Sequence, residues 1–439
     1  MSPLMPGFSA SPIDHEEPPL STAIKLRLGI MMFLEFFVWG AWFVTMGSYL
    51  TGTLGFSGAD SALAYSTQSW GAIVAPFVIG LIADKYVNAE RLLGLIHLVG
   101  AGLMYVLAQA TSFAAFYPFL LAYMILYMPT LALVNAIAFR QMDDPARHFG
   151  GIRVWGTVGW IVAGLAISYV FGWDSAAGMA EGALRNTFAM AAAASLALGV
   201  FSFTLPRTPP QAEAGGGLRA ALGLDALALL RDRNFLVFFA ASILICIPLA
   251  FYYQHANQFL TEIRVENAAG KQTLGQVSEV GFMLLVPFFL KRFGMKGTLL
   301  LGMAAWAARY VLFAFGNAGD LVFMLIVGIA LHGVCYDFFF VSGQVFTDSK
   351  AGPRYKSAAQ GLITLATYGI GMLFGFWIAG WLTDLFAVDG GHDWRSIWIY
   401  PAAFAAVIAI AFGALFRDEV VDYAARPKGS AAAPARARD

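Results

Sequence analysis

Gln276 and Glu279, in the stretch LGQVSEVGF, lie three residues apart in an otherwise apolar segment. That spacing puts an amide and a carboxylate on one helical face. In IRVWGTVGW, Arg153, Thr157 and Trp160 stand at i, i+4 and i+7, so one face offers a fixed cation, a hydroxyl and an aromatic plate. Tyr253 and Asn257 share a third face, with Gln254 and His255 close by. His332 and Tyr336 share a fourth, and Asp337 sits about 100° further round. Glu35 is embedded among aromatic residues in MMFLEFFVWGAWF. Ionisable groups in such apolar surroundings are rare and usually face a cavity or a partner. Together these residue types suit two tasks, holding a polar solute with a flat ring and carrying a proton.

Plainer readings stand beside these. Arg153 is near a helix end and could extend to the headgroups, or form a fixed ion pair with Asp337 that steadies two halves of the protein. Arg309 reads as pairing with a neighbour or snorkelling outward, and His97, near Gly100, as a satisfied packing histidine. Enzyme signatures are missing: HEEPP at His15 is not H-E-x-x-H, and GKQT at 270–273 lacks the upstream glycine of a phosphate loop. No metal or cofactor is expected. Cys246 and Cys335 read as small core residues.

These faces require helices long enough to span a bilayer. The chain has 439 residues, 59% hydrophobic and only 12% charged, about half the usual charged share of a soluble domain. Its net charge is zero, which gives no reason to expect a nucleic-acid partner. Apolar stretches of about 20 residues recur from end to end. They predict an all-α polytopic membrane protein with twelve transmembrane helices, over roughly 28–50, 62–83, 92–110, 116–139, 150–171, 186–205, 235–257, 273–290, 297–316, 320–346, 357–383 and 396–416. The organisation is then a tail (1–24), a six-helix half (25–206), a linker with a short interfacial helix (207–234), a second six-helix half (235–416) and a second tail (417–439). The first tail lacks the basic character of a signal peptide, so the first helix is expected to be retained.

Loop charges give the orientation. Arg140, Arg147, Lys291, Arg292, Lys296, Lys350, Arg354 and Lys356 fall on one side with both tails. Only Arg185, Arg264, Lys271 and Arg395 fall in loops on the other. Both termini are therefore expected in the cytoplasm. PFVIGLIADKY (76–86) and VPFFLKRFGMK (286–296) end equivalent helices of the two halves, as a parallel repeat would require. The first carries G-x-x-x-D-[RK], through Gly80, Asp84 and Lys85, the signature of the major facilitator superfamily.

FLEFFVWGAWFVTMGSYL (33–50), YMPTLALVNAIAF (127–139), RVWGTVGWI (153–161), the segments GQVSEV and VPFFLKRFGMK within 275–296, YDFFFVSGQVF (336–346) and LGLDALALL (222–230) resemble the bacterial nucleoside:proton symporter family of that superfamily. The resemblance extends over about residues 25–416. It implies a nucleoside bound between the halves by Arg153, Thr157, Trp160, Gln276, Glu279 and Tyr336, with Asp337 beside them. It also implies the inner membrane. Two departures stand out. Ala250 and Tyr253 occupy positions where the family's best-known members carry amides, so the polar groups of this helix are Gln254, His255 and Asn257. Glu35 stands where a glutamine is usual.

On this reading Arg153, Thr157, Trp160, Tyr253, Gln254, Asn257, Gln276, Glu279 and Tyr336 hold the substrate. Asp337, Glu279 and Glu35 handle the proton, because desolvation favours a neutral carboxyl that can load on one side and release on the other. A monomer is expected. Competing readings are a carrier for another polar hydroxylated solute, such as a small glycoside, and a non-transporting receptor or sensor.

Overall fold

The computed structural model describes residues 21–78, 86–142, 145–210 and 224–417. Eleven helices organise them. In the first part of the chain they are α1 (Thr22–Gly40), α2 (Gly58–Val78), α3 (Ala89–Leu107), α4 (Phe113–Phe139), α5 (Pro145–Leu165) and α6 (Asn186–Ser202). After the linker come α7 (Arg233–Glu262), α8 (Ala268–Phe315), α9 (Val322–Gly352), α10 (Ala358–Leu385) and α11 (Trp394–Leu415). Short polar residues start several of them. Ser21 accepts from the Ile24 amide, Ser112 from Ala115 and Asp232 from Phe235, each satisfying an amide that has no partner inside its own helix.

Among the described residues, nine helices are long and apolar enough to cross a membrane. With 48 residues, α8 would be about 72 Å long if straight, more than twice the hydrocarbon thickness. Gly294 divides it into two arms. Its φ of 69° and ψ of 179° belong to a region open essentially to glycine alone. Gly352, with φ 61° and ψ −177°, makes the same turn at the end of α9. The Gly80–Asp84–Lys85 signature and nearly all of the tails lie outside the described residues, as do residues 211–223 of the linker. The described linker segment Leu224–Arg231 is a short 3-10 helix, within the stretch expected to hold a short interfacial helix.

In the first part, α1 packs on α5 and α6, α3 on α4 and α6, and α2 on α4. In the second, α7 packs on α10 and α11, while α8 packs on α9 and α11. Large apolar side chains such as Leu284, Ile410 and Val170 remain mostly exposed on the outside, an arrangement suited to lipid. The two parts meet where α2 touches α10, α5 touches α8, and Met46–Ser48, just past α1, touches α7. A two-stranded hairpin, β1 (Ala387–Val388) and β2 (Gly391–His392), links α10 to α11.

Candidate functional site

Close helix approach sets the first wall of a central cavity. A Cβ at Gly159 would collide with the carbonyl oxygen of Phe33, and one at Gly40 would lie 3.1 Å from Trp160. Glycine at both positions lets α1 and α5 touch, which holds Trp160 edge-on to Trp39, their ring centroids 5.5 Å apart at 71°. Arg153, one face-length earlier on α5, places its guanidinium 4.0 Å over the Phe36 ring. It therefore turns inward along the cavity, held by a cation–π contact.

The opposite wall comes from α7, α8, α9 and α10. Gln276 and Glu279 project from the first arm of α8, Tyr253 from α7, His332 and Tyr336 from α9, and Tyr368 from α10. The Tyr336 and Tyr368 hydroxyls are hydrogen-bonded at 2.7 Å. His332 stacks on Tyr252 with centroids 5.2 Å apart, and its Nε2 lies 3.9 Å from Glu279 Oε2. Tyr368 lies in a π-helical segment, Leu365–Gly371. Such widened turns recur at functional sites because they redirect side chains.

The cavity encloses about 640 Å³ of empty space, open solvent at its mouth included. Seven expected residues line it together: Arg153, Thr157, Trp160, Tyr253, Gln276, Glu279 and Tyr336. Phe36, Trp39, Phe43, Gln68, His332 and Tyr368 line it as well. Of these, spacing in the sequence points to His332 without a role and does not point to the others. The run STQS within α2 was the available signal for Gln68, whereas Trp39 and Phe43 are hidden in an aromatic stretch. Trp39 Nε1, Gln68 Oε1 and His332 Nδ1 are buried without a protein hydrogen-bond partner. Buried polar atoms are nearly always paired, so these are groups suited to a polar solute.

Four expected residues lie off this lining. Gln254 is fully buried beside the α1 continuation, and neither amide atom has a protein partner. Asn257 is one turn further along α7. It accepts from the Ser48 hydroxyl at 2.6 Å and donates to Gln272 at 2.7 Å, so it joins the two parts of the molecule. Asp337 is fully buried just behind the Tyr336 wall, at the start of the π-helical segment Asp337–Val341. Both its carboxylate oxygens lack a protein partner. An Arg153–Asp337 ion pair, one of the plainer readings, is not formed.

Glu35 belongs to a separate network. Its carboxylate meets His97 Nε2 at 2.9 Å and accepts from the Thr130 hydroxyl at 2.5 Å, while His97 Nδ1 meets Ser195 at 3.0 Å. His97 is thus satisfied, as expected of a packing histidine, but by an acid and not by packing alone. Arg309 is fully buried, 4.1 Å over the Tyr252 ring, with its Nε donating to the Gly328 carbonyl. It does not snorkel; the neighbours it pairs with are an aromatic face and a carbonyl.

The model of the family described as "Nucleoside H+ symporter" matches residues 22–420. The chain belongs to the nucleoside H+ symporter family. Among its relatives, YegT of Escherichia coli (strain K12) is 45% identical over 89% of this chain and 93% of its own. The xanthosine permease of the same organism is 35% identical over 89% of this chain and 95% of its own. The crystal structure of the nucleoside transporter NupG superposes with a TM-score of 0.82 at 32% identity, covering 90% of this chain and 100% of NupG. A bacterial Spinster homologue, at 14% identity and a TM-score of 0.70 over 91% of this chain and 98% of its own, shares the fold alone. This member of the symporter family is therefore a membrane transporter of the major facilitator type.

Proposed function

We propose that this chain imports nucleosides across the bacterial inner membrane together with protons. The observation that carries the reading is the composition of the cavity wall. Trp39 and Trp160 offer aromatic faces to a base, while Gln276, Glu279, Arg153 and Thr157 offer hydrogen bonds to amide-like edges and ribose hydroxyls. Glu279 serves both substrate and proton, and Asp337, behind the wall, carries the proton. Inward proton movement supplies about 2.3 kcal/mol per charge for each 100 mV of membrane potential.

We further propose twelve spans in two halves, the two arms of α8 counting separately. Both termini lie in the cytoplasm and the protein acts as a monomer. The excess of Lys and Arg in the loops on the side of the tails supports that orientation. The joined ends of the halves, around Ser48, Asn257 and the hairpin, then face outward, and the cavity is in its inward-facing form.

One observation favours a second reading, a carrier for small glycosides. Tyr253 lines the cavity while Gln254 and Asn257 do not, so α7 contributes an aromatic hydroxyl there and no amide. Competition uptake of labelled nucleosides against sugars, in cells lacking their own nucleoside carriers, separates the two. Nucleoside accumulation abolished by a protonophore supports the first reading. Accumulation of a sugar with no nucleoside uptake overturns it.

A further inference from the structure

Hydrogen bonds between the two halves cluster at one end of the molecule. Ser48 bonds Asn257 and Thr261 there. The others converge on helix N-termini. Asp174, just past the π-helical end of α5, is buried and accepts from the Ala269 amide at 2.9 Å. It also accepts from the Ser168 hydroxyl at 2.6 Å, and Ser168 in turn accepts from the Gly270 amide at 2.7 Å. These amides belong to the first turn of α8. Asp384, near the end of α10, accepts from the Gly58 amide at 2.6 Å and the Ala59 amide at 2.8 Å, in the first turn of α2.

The two arrangements are counterparts. In a repeat of two halves, α2 corresponds to the first arm of α8, and α5 to α10. Each half therefore ends one helix in an aspartate that caps a helix of the other half. The α8 terminus depends on this, because its own cap residue, Asn267, is in the left-handed region (φ 55°) and makes no side-chain cap bond. At the second contact, a Cβ on Gly58 would press on the Gly380 carbonyl, and one on Gly380 on the Gly58 carbonyl. Glycine at both positions brings α10 close enough for Asp384 to reach across.

We propose that Asp174 and Asp384 are paired latches that hold this end of the transporter shut, each by capping a helix of the opposite half. Parting the halves strips two amides from each helix start and removes a negative charge from the positive end of the helix dipole. The latches thereby set the ratio of the closed to the open form of this gate. Asp174, being buried with Ser168 as its second arm, is the stronger; Asp384 is exposed to competing water.

The inference rests on the transport reading, but its readout needs no substrate, so it survives or fails independently of which solute is carried. Thr111 and Asp320 are exposed, in loops at the latched end of opposite halves. Spin labels on cysteines at these two positions, in the full chain with Cys246 and Cys335 changed to alanine, report the gate as a distance distribution. Asp174→Ala should raise the ratio of a longer, open-gate distance to the closed one by roughly five- to thirtyfold, the scale of losing a helix cap. Ser168→Ala and Asp384→Asn should shift it in the same direction by less. These two milder variants decide the matter if Asp174→Ala fails to fold. Folded variants that keep the parent distribution overturn the proposal. So does a fall in thermal stability with no longer distance, which would make the aspartates ordinary caps.

Discussion

His332 Nε2 stands 3.9 Å from Glu279 Oε2 on the wall of the cavity, and among the described residues no lysine or arginine forms an ion pair with that carboxylate. Glu279 is thus held loosely, with capacity left for a ligand. Glu279→Gln keeps the shape and removes the charge. Hydrogen bonds to charged groups contribute about 1.5–3 kcal/mol, so substrate affinity should fall by about ten- to a hundredfold. Uphill uptake should fall as well, because Glu279 is proposed to titrate. Binding to purified protein and proton-driven uptake in liposomes check the two effects separately.

Trp160→Ala should weaken binding through lost ring contact, by about 1–3 kcal/mol if base stacking in nucleic-acid complexes is a fair scale. Trp160→Phe should retain much of it. Gln276→Ala should also weaken binding, by leaving a polar atom of the substrate unpaired. Wild-type affinity for every transported nucleoside in both alanine variants, each folded, would place the site elsewhere.

The sequence made the fold legible because apolar length and loop charge are one-dimensional signals. Glu279 with Gln276, and Arg153 with Trp160, were legible because helical spacing alone puts them on shared faces. Asn257 shows where that reasoning stops. It shares a face with Tyr253, yet a helix four residues longer has advanced about 6 Å, here out of the cavity and into the joint with Ser48. Glu35 shows the other limit. Its partner His97 is 62 residues away, on a different helix, and the bond between them is visible only in three dimensions. Gly294 hid in a continuous apolar pattern, since only its backbone angles reveal the turn.

Topology follows from the loop charges. A tag in the 207–234 linker should be protected from membrane-impermeant reagents in intact cells, and a tag in 264–267 should be labelled. The reverse pattern would invert the proposed orientation and with it the direction in which the latched end faces.

Asp393 offers a pH test outside the membrane spans. It caps α11, accepting from the hydroxyl and the backbone amide of Ser396, and these bonds hold its carboxyl below the ordinary aspartate value of 3.8. A depressed value in the folded state means the bonds stabilise above the unfolded value and are lost as pH falls through the folded one. Asp393→Ala should therefore lower the thermal midpoint slightly at neutral pH, slightly because the group is almost fully solvated. The gap to the parent should close on acidification below about pH 3.8. A gap that is constant down to the lowest pH at which the protein stays folded would mean the carboxylate is not its source.

Asp337 carries the strongest claim on the proton. It is fully buried, and neither oxygen has a protein partner. A permanently ionised carboxylate left unpaired in that position would be costly. The structure contains no ion pair to Arg153, whose guanidinium rests on Phe36 instead. Asp337→Asn preserves shape and removes the titrating proton, so it should abolish uphill accumulation driven by a pH gradient. Substrate exchange across the membrane should persist, because it needs no net proton movement. Were Asp337 the fixed partner of a buried cation in another state of the cycle, the same change would leave that cation under-compensated. Folded yield and stability would then fall by about 3–5 kcal/mol. Counterflow and proton-driven uptake, measured side by side in liposomes, separate these outcomes. Normal accumulation by a well-folded Asp337→Asn protein would remove Asp337 from the coupling mechanism and leave Glu279 or Glu35 as the carrier.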